Sequence, residues 1–266
     1  MAKTKYDVAV FGLWWSSNYG SIMTYYSLYC LLESFGKRTV LIDRPGFPPD
    51  HPLFKTDGRR FQREHFPVTP VFAFSELEKL NEYADCFVMG SDQVWNFCIS
   101  KPYHGAFFLN FVQDDKKKLS YAASFGHPGF YAPEEEIEKT RKLLERFDGI
   151  SVRETGAVQI MNQTFGLKAE RVLDPVFAVE PHVFAELMKQ SKAAKIGRKK
   201  PYLCTYILDP TPEKREAIQY LAQMKGLSMV HMLDGYQEHF EKNKAQFGME
   251  GVVEDLKVED WLYYLY

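Results

Sequence analysis

The sequence predicts an α/β protein built on a doubly wound parallel sheet. Three observations carry this. Six short apolar runs alternate with helical patterns over roughly the first 175 residues. The first 43 residues read as one βαβ unit, which joins parallel strands. Most of the apolar runs end in polar residues: Asn18, Ser91 to Gln93, Ser124, Arg153-Glu154 and Asp174. In an open α/β sheet the carboxyl ends of the strands open into the ligand crevice. Convergence of so many polar ends therefore marks a binding site.

The elements come in order. Residues 6–12 (YDVAVFG) form the first strand. Residues 21–35 are helical, with Ile22, Tyr25, Tyr26, Tyr29 and Leu32 at helical spacing and Gly36 just past the end. This helix opens just after Asn18-Tyr19-Gly20-Ser21, so its free N–H groups form a candidate anion site. Residues 38–43 (RTVLID) are the second strand. Gly12 is followed by Leu-Trp-Trp, with no GxGxxG, so the dinucleotide fingerprint is missing even though Asp43 ends the second strand. Residues 45–70, rich in Pro, Arg and aromatic residues, read as a long excursion. It is either a surface loop with a solvated basic helix or a lid over the crevice. Residues 75–83 read as a helix with Ser75 as cap and Glu78 completing a capping box.

The third strand, 86–89 (CFVM), is apolar throughout and stops at Gly90. A glycine there lets backbone approach a ligand closely. Ser91, Asp92 and Gln93 supply donors and acceptors. Trp95 either stacks on a sugar ring or belongs to the core. Residues 103–111 are apolar and aromatic, and 118–124 (KLSYAAS) are the fourth strand. A helix over 133–147 carries its glutamates first and its cations last, as the helix dipole prefers. Residues 149–152 (GISV), a helix over 155–165, and a strand over 171–173 complete the series. A basic stretch over 189–200 suggests a solvated helix end or linker. A second α/β series starts at 201: a strand to 208, a helix over 211–225 with Thr211 as N-cap and Pro212 at N1, and a strand over 227–233. Val258, Trp261, Leu262 and Leu265 form an amphipathic stripe up to the last residue. With no later element to cover it, that stripe is expected to be exposed, as in a chain cut within an element.

Composition bounds the function. The 266 residues are 45% hydrophobic and 15% aromatic, enough for a full core. A net charge of -2 argues against nucleic acid or an anionic membrane as the main partner. The four cysteines, Cys30, Cys86, Cys98 and Cys204, form no CxxC and no zinc spacing, so no metal is expected. The polar N-terminus leading into a strand does not read as a signal peptide, and no apolar window is long enough to span a membrane. A cytoplasmic protein is expected.

Five motifs in order carry a resemblance: Asn18-Tyr19-Gly20-Ser21, Gly90-Ser-Asp-Gln-Val-Trp95, Ser120-Tyr-Ala-Ala-Ser-Phe-Gly126, Ile150-Ser-Val-Arg-Glu154 and Val172-Leu-Asp-Pro175. With them the chain resembles the polysaccharide pyruvyl transferase family over about its first 180 residues. The resemblance implies a GT-B-like fold of two Rossmann-like lobes with parallel sheets, the site lying between them. It implies lobes at 1–180 and from 201 to 266, a linker over 181–200, and an apparently truncated second lobe. It implies an enzyme that moves pyruvate from phosphoenolpyruvate onto two sugar hydroxyls as a ketal, in cell-surface polysaccharide synthesis. The partners are then phosphoenolpyruvate and a saccharide, with no other cofactor.

The resemblance marks Arg153 as a ligand of the donor's carboxylate or phosphate, with Ser21 and Gly20 beside it. A guanidinium fork suits either anion. Asn18, Tyr19, Ser91, Asp92, Gln93, Trp95, Ser124, Glu154 and Asp174 are expected to line the cleft. Asp92 is a candidate for orienting or deprotonating an acceptor hydroxyl. The family's second lobe carries a Ser-Phe-His-Gly type motif with the expected acid/base histidine. None of the seven histidines here sits in such a motif, so no catalytic histidine is assigned. Two other functions fit the fold: a GT-B glycosyltransferase using a nucleotide sugar, and a non-catalytic remnant.

Overall fold

The computed structural model describes residues 5–15, 17–48, 51–196, 201–234 and 238–266. The chain separates into two compact units. The first comprises Met1–Ser16, Gly20–His51 and Gln62–Val179; the second comprises Ser17–Tyr19, Pro52–Phe61 and Glu180–Tyr266. Part of the 45–70 excursion thus belongs to the second unit.

In chain order the elements begin with β1 (Val8–Phe11), α1 (Tyr19–Ser34), β2 (Thr39–Leu41), α2 (Asp57–His65), β3 (Cys86–Met89) and the single turn α3 (Phe97–Ser100). They continue with β4 (Lys117–Ala123), α4 (Glu134–Leu144), β5 (Gly149–Val152), α5 (Thr155–Gln163) and β6 (Glu170–Arg171). Next come α6 (His182–Met188), α7 (Lys192–Ile196), β7 (Tyr202–Ile207), α8 (Pro212–Lys225), β8 (Ser228–Leu233), α9 (Glu238–Phe247) and α10 (Val258–Leu265).

The first unit is the expected parallel sheet, in the order β2-β1-β3-β4-β5-β6. β1 lies between β2 and β3, so the chain leaves it toward one edge and later returns on its other side. That gap between β1 and β3 is the topological switch point, where open α/β sheets take their ligands. Both strands are apolar because both are covered on each face. The aromatic run around 103–111 supplies part of that cover: Phe107 packs 5.3 Å from Phe11 and Phe111 packs 6.0 Å from Phe87. The cap expected at Ser75 lies two residues earlier. Glu76 reaches back to the Ala73 N–H at 3.4 Å, and alanine has no acceptor to return the bond. Only half a capping box forms, and the segment Phe74–Glu82 is a run of 3-10 turns.

β4 carries an irregularity against β5 between Ser120 and Ala123, with Ala122 at φ 54. Two serines replace the lost ladder bonds. The Ser120 hydroxyl donates to the Ser151 carbonyl at 3.0 Å, and the Ser151 hydroxyl donates to the Ser120 carbonyl at 2.8 Å. A bulge of this kind re-aims the side chains beyond it on the strand.

In the second unit β7 and β8 pair in parallel from Tyr202↔Ser228 to Ile207↔Leu233. α8 between them starts as expected, with the Thr211 hydroxyl accepting from the Lys214 N–H and Pro212 at N1, and stops at Gly226 with φ 63. Of the stretch 181–200, expected as a linker, residues 181–196 contain α6 and α7 and pack within this unit, and 197–200 lie outside the described residues. Leu187 and Ser191 are buried, and the Asp260 carboxylate accepts from the Ser191 hydroxyl and the Ala193 N–H. Its lysines had marked only the solvated side. The expectation of an exposed final stripe is also corrected in part. Trp261 is buried, stacking on Tyr19 at 5.7 Å and meeting Tyr206 edge-on at 5.5 Å, whereas Leu265 stays 50% exposed. Among the described residues no helix is long and apolar enough to cross a membrane.

His231, buried on β8, has its Nδ1 2.8 Å from the Thr205 hydroxyl and, among the described residues, no partner at Nε2. Burial pushes its pKa down. The unfolded chain binds a proton near pH 6.5 that the folded chain refuses. Stability is therefore full above about pH 6.5 and falls as pH drops below it toward the depressed folded value. The urea midpoint should be lower at pH 5.5 than at pH 7.5, and the gap should narrow in His231→Gln. An undiminished gap would assign the acid sensitivity to other groups.

Candidate functional site

The site is built by strand register. The Asp92 and Ala123 backbones bridge in parallel, the Arg153 N–H donates to the Ala123 carbonyl at 3.0 Å, and the Val172 N–H donates to the Val152 carbonyl at 3.0 Å. The carboxyl ends of β3, β4, β5 and β6 are thereby held level. Ser91, Asp92, Arg153, Glu154 and Asp174 come together on this edge.

Arg153 is the centre. Its Nη1 lies 3.0 Å from Asp174 Oδ2, its Nε lies 3.0 Å from Glu154 Oε1, and its Nη2 is 4.0 Å from Asp92. Its side chain is 31% exposed. Burial works against the charge, but the hydrogen bonds it donates to Glu154 and Asp174 outweigh it, and the net shift is upward. The three carboxylates differ in how firmly they are held. Asp174 caps the turn Pro175–Phe177 by accepting from the Val176 N–H at 3.1 Å. It also accepts from the Ser91 hydroxyl at 2.9 Å and the Thr24 hydroxyl at 3.3 Å. With four donors it is a fixed anchor. Glu154 is 44% exposed, and Arg153 is the only bonded partner of its carboxylate among the described residues. It is the side chain free to swing away. Asp92 sits at φ 83 and accepts the Gln93 N–H at 2.8 Å. The left-handed conformation is one that Asp tolerates better than most residues.

Other expected cleft residues turn out to be framework. Trp95 is fully buried; its Nε1 donates to the Phe107 carbonyl at 3.1 Å and its ring stacks on Phe108, so it cannot meet a sugar. Ser124 is buried and its hydroxyl accepts from the Gly126 N–H at 3.0 Å. Gln93 accepts from the Asn96 amide at 3.1 Å. The Ser21 hydroxyl donates to the Leu13 carbonyl at 3.0 Å, which leaves it nothing to give a ligand. Gly20, in the first turn of α1, offers backbone only. Asn18 and Tyr19 belong to the second unit, where Tyr19 donates to the Leu256 carbonyl at 2.8 Å.

Sequence reasoning missed two residues of α1. Thr24 bonds Asp174. Tyr25, fully buried, donates to the Ser91 carbonyl at 2.7 Å and accepts from the Leu13 N–H at 3.0 Å. Burial, with the Asp92 charge second, pushes its phenol well above the usual range. The available signal was the pair of glycines, Gly12 and Gly90, that directly follow β1 and β3.

The family model for polysaccharide pyruvyl transferase matches residues 18–265. The chain belongs to this family. No curated protein matches it significantly. Among solved structures it is similar to UDP-GlcNAc 2-epimerase from Neisseria meningitidis bound to UDP-GlcNAc, with 12% identity and a TM-score of 0.55, over 97% of this chain and 74% of that one. It is also similar to UDP-N-acetylglucosamine 2-epimerase from Rickettsia bellii, with 11% identity and a TM-score of 0.54, over 96% of this chain and 70% of that one. At such identity the likeness concerns the fold, and the fold is GT-B-like α/β. In this polysaccharide pyruvyl transferase family member a cavity of about 710 Å³ lies away from the cluster. It opens on the sheet face between α1 and α5, against Leu28, Val88, Leu119, Ile150 and Val158. Its walls are mostly apolar and its lysine, Lys168, is exposed and lies beside Glu170, whereas the Arg153 cluster offers a held guanidinium.

Proposed function

We propose that this chain is a transferase acting on phosphoenolpyruvate, moving its pyruvyl carbons onto two hydroxyls of a saccharide as a cyclic ketal, in cell-surface polysaccharide synthesis. The observation that carries this reading is Arg153: a partly exposed guanidinium, anchored on one edge by Asp174 and covered on another by the swinging Glu154. The site as it stands holds three carboxylates around one cation. An anionic donor must therefore displace Glu154, while Asp174 keeps the fork aimed. Family membership supports the transferase class and a saccharide acceptor.

The chemistry divides into two stages. A general acid protonates the methylene carbon of phosphoenolpyruvate while a sugar hydroxyl bonds to the adjacent carbon. The second hydroxyl then bonds to that carbon, and its C–O bond to phosphate breaks. Of the two hydroxyl protons released, one balances the proton taken up by the methylene and the other leaves with phosphate. Arg153 neutralises donor charge as it shifts toward phosphate. Asp92, 4.0 Å from Arg153, orients or deprotonates an acceptor hydroxyl. The enol phosphate supplies the electrons, so the scheme uses no redox cofactor.

The test is calorimetric titration with phosphoenolpyruvate and, separately, with UDP. The reading expects binding of phosphoenolpyruvate; a response to UDP alone would replace it with nucleotide-sugar transfer. Glu154→Gln should bind phosphoenolpyruvate about fivefold more tightly, on the order of 1 kcal/mol for removing one nearby like charge. Weaker binding in that variant would make Glu154 a required partner rather than a competitor.

A further inference from the structure

Gly12 directly follows β1 and Gly90 directly follows β3, and the Gly90 N–H donates to the Phe11 carbonyl at 2.9 Å. Two glycines side by side at a switch point normally let backbone close on a ligand's phosphate. Here the space they leave is filled by the protein itself. A Cβ added at Gly12 would lie 1.7 Å from the Tyr25 hydroxyl oxygen, and one added at Gly90 would lie 2.3 Å from the Tyr25 ring. The same hydroxyl occupies the Leu13 N–H, a backbone donor of the kind that binds anions after the first strand. On its other side it holds the Ser91 carbonyl. The Ser91 hydroxyl in turn donates to Asp174, which carries Arg153.

We infer that Tyr25 is a positioning residue: it closes the crevice between β1 and β3 and, through Ser91 and Asp174, fixes the aim of Arg153. The ligand is thereby moved from the switch point to the neighbouring ends of β3, β5 and β6. This inference rests on the donor reading given above for Arg153. It accounts for both glycines without a nucleotide, and for a βαβ unit that lacks the dinucleotide fingerprint.

Tyr25→Phe in the full chain keeps the ring and removes only the hydroxyl. Affinity for phosphoenolpyruvate, by calorimetry, should fall about five- to tenfold, and the loss should be much smaller when the change is made in Arg153→Lys. Equal losses in the two backgrounds would overturn the positioning role, because a residue that only stabilises the fold acts independently of Arg153. A second arm needs no donor. In Tyr25→Ala, p-cresol should refill the vacated crevice and raise the unfolding temperature by several degrees, leaving the wild type unchanged. No rescue in a folded Tyr25→Ala would overturn the claim that the ring fills a closed crevice. If p-cresol rescues but the wild-type protein binds no phosphoenolpyruvate, the donor reading falls, and the positioning role falls with it. The plugged crevice then stands alone.

Discussion

Arg153→Ala is expected to weaken phosphoenolpyruvate binding by about a hundredfold and Arg153→Lys by about tenfold. A hydrogen bond to a charged group contributes on the order of 1.5–3 kcal/mol, which converts to that range. Lysine keeps the charge but presents a point cation in place of a planar fork, so it cannot hold Asp174 and a donor anion in two parallel bonds. Arginine keeps its charge at any working pH, so the empty site must be neutralised by neighbours, and Asp174 and Glu154 do this. The anchor and the competitor are then separable. Asp174→Asn should weaken the donor because the guanidinium loses its fixed partner, whereas Glu154→Gln strengthens it. Acceptor binding should change little in the Arg153 variants. Calorimetry showing the wild-type dissociation constant in both Arg153 variants would leave Arg153 as a structural ion-pair residue and remove the donor site from this edge.

The second large effect is on stability. Trp95→Ala should cost about 3–5 kcal/mol, the usual range for a large aromatic truncated in a core. The indole is fully buried, stacks 6.0 Å from Phe108, tilts 5.5 Å from Phe125 and meets Phe147 edge-on at 6.1 Å. Removal also strands the Phe107 carbonyl, which loses its Nε1 donor. Urea denaturation measures the loss. Trp95→Phe, which retains most of the packing, should bind phosphoenolpyruvate as the wild type does. If Trp95→Phe instead lost acceptor binding with its stability intact, the indole would be a ligand contact after all.

The sheet was legible because its strands are short apolar runs with turn residues at each end, and burial on both faces leaves no other pattern. Ser91, Arg153 and Asp174 were legible for the same reason: a parallel sheet puts every carboxyl end on one side. Trp95 was not, since alternation past the end of a strand no longer says which way a side chain faces. Ser124 and Ser21 look identical in sequence to ligand-binding hydroxyls; only the carbonyl or N–H each one meets tells them apart. Thr24 and Tyr25 sit in the unbroken buried run Ser21 to Tyr25 of α1, so periodicity could not single them out. α6 and α7 were hidden by polar neighbours such as Lys189, an exposed side chain paired with exposed Glu186, while Leu187 and Ser191 close by in sequence are buried.

Asp92 sits beside Arg153 with a backbone that glycine would adopt without strain. A side chain held at positive φ costs about 1 kcal/mol or more, partly offset here by its bond to the Gln93 N–H. A laboratory selection for heat resistance alone would therefore be drawn to Asp92→Gly early, and each such survivor would have traded away the carboxylate. On the role proposed for Asp92, selection for turnover would hold the aspartate in place against that pull. The two regimes, run in parallel from this one sequence, would part company at residue 92.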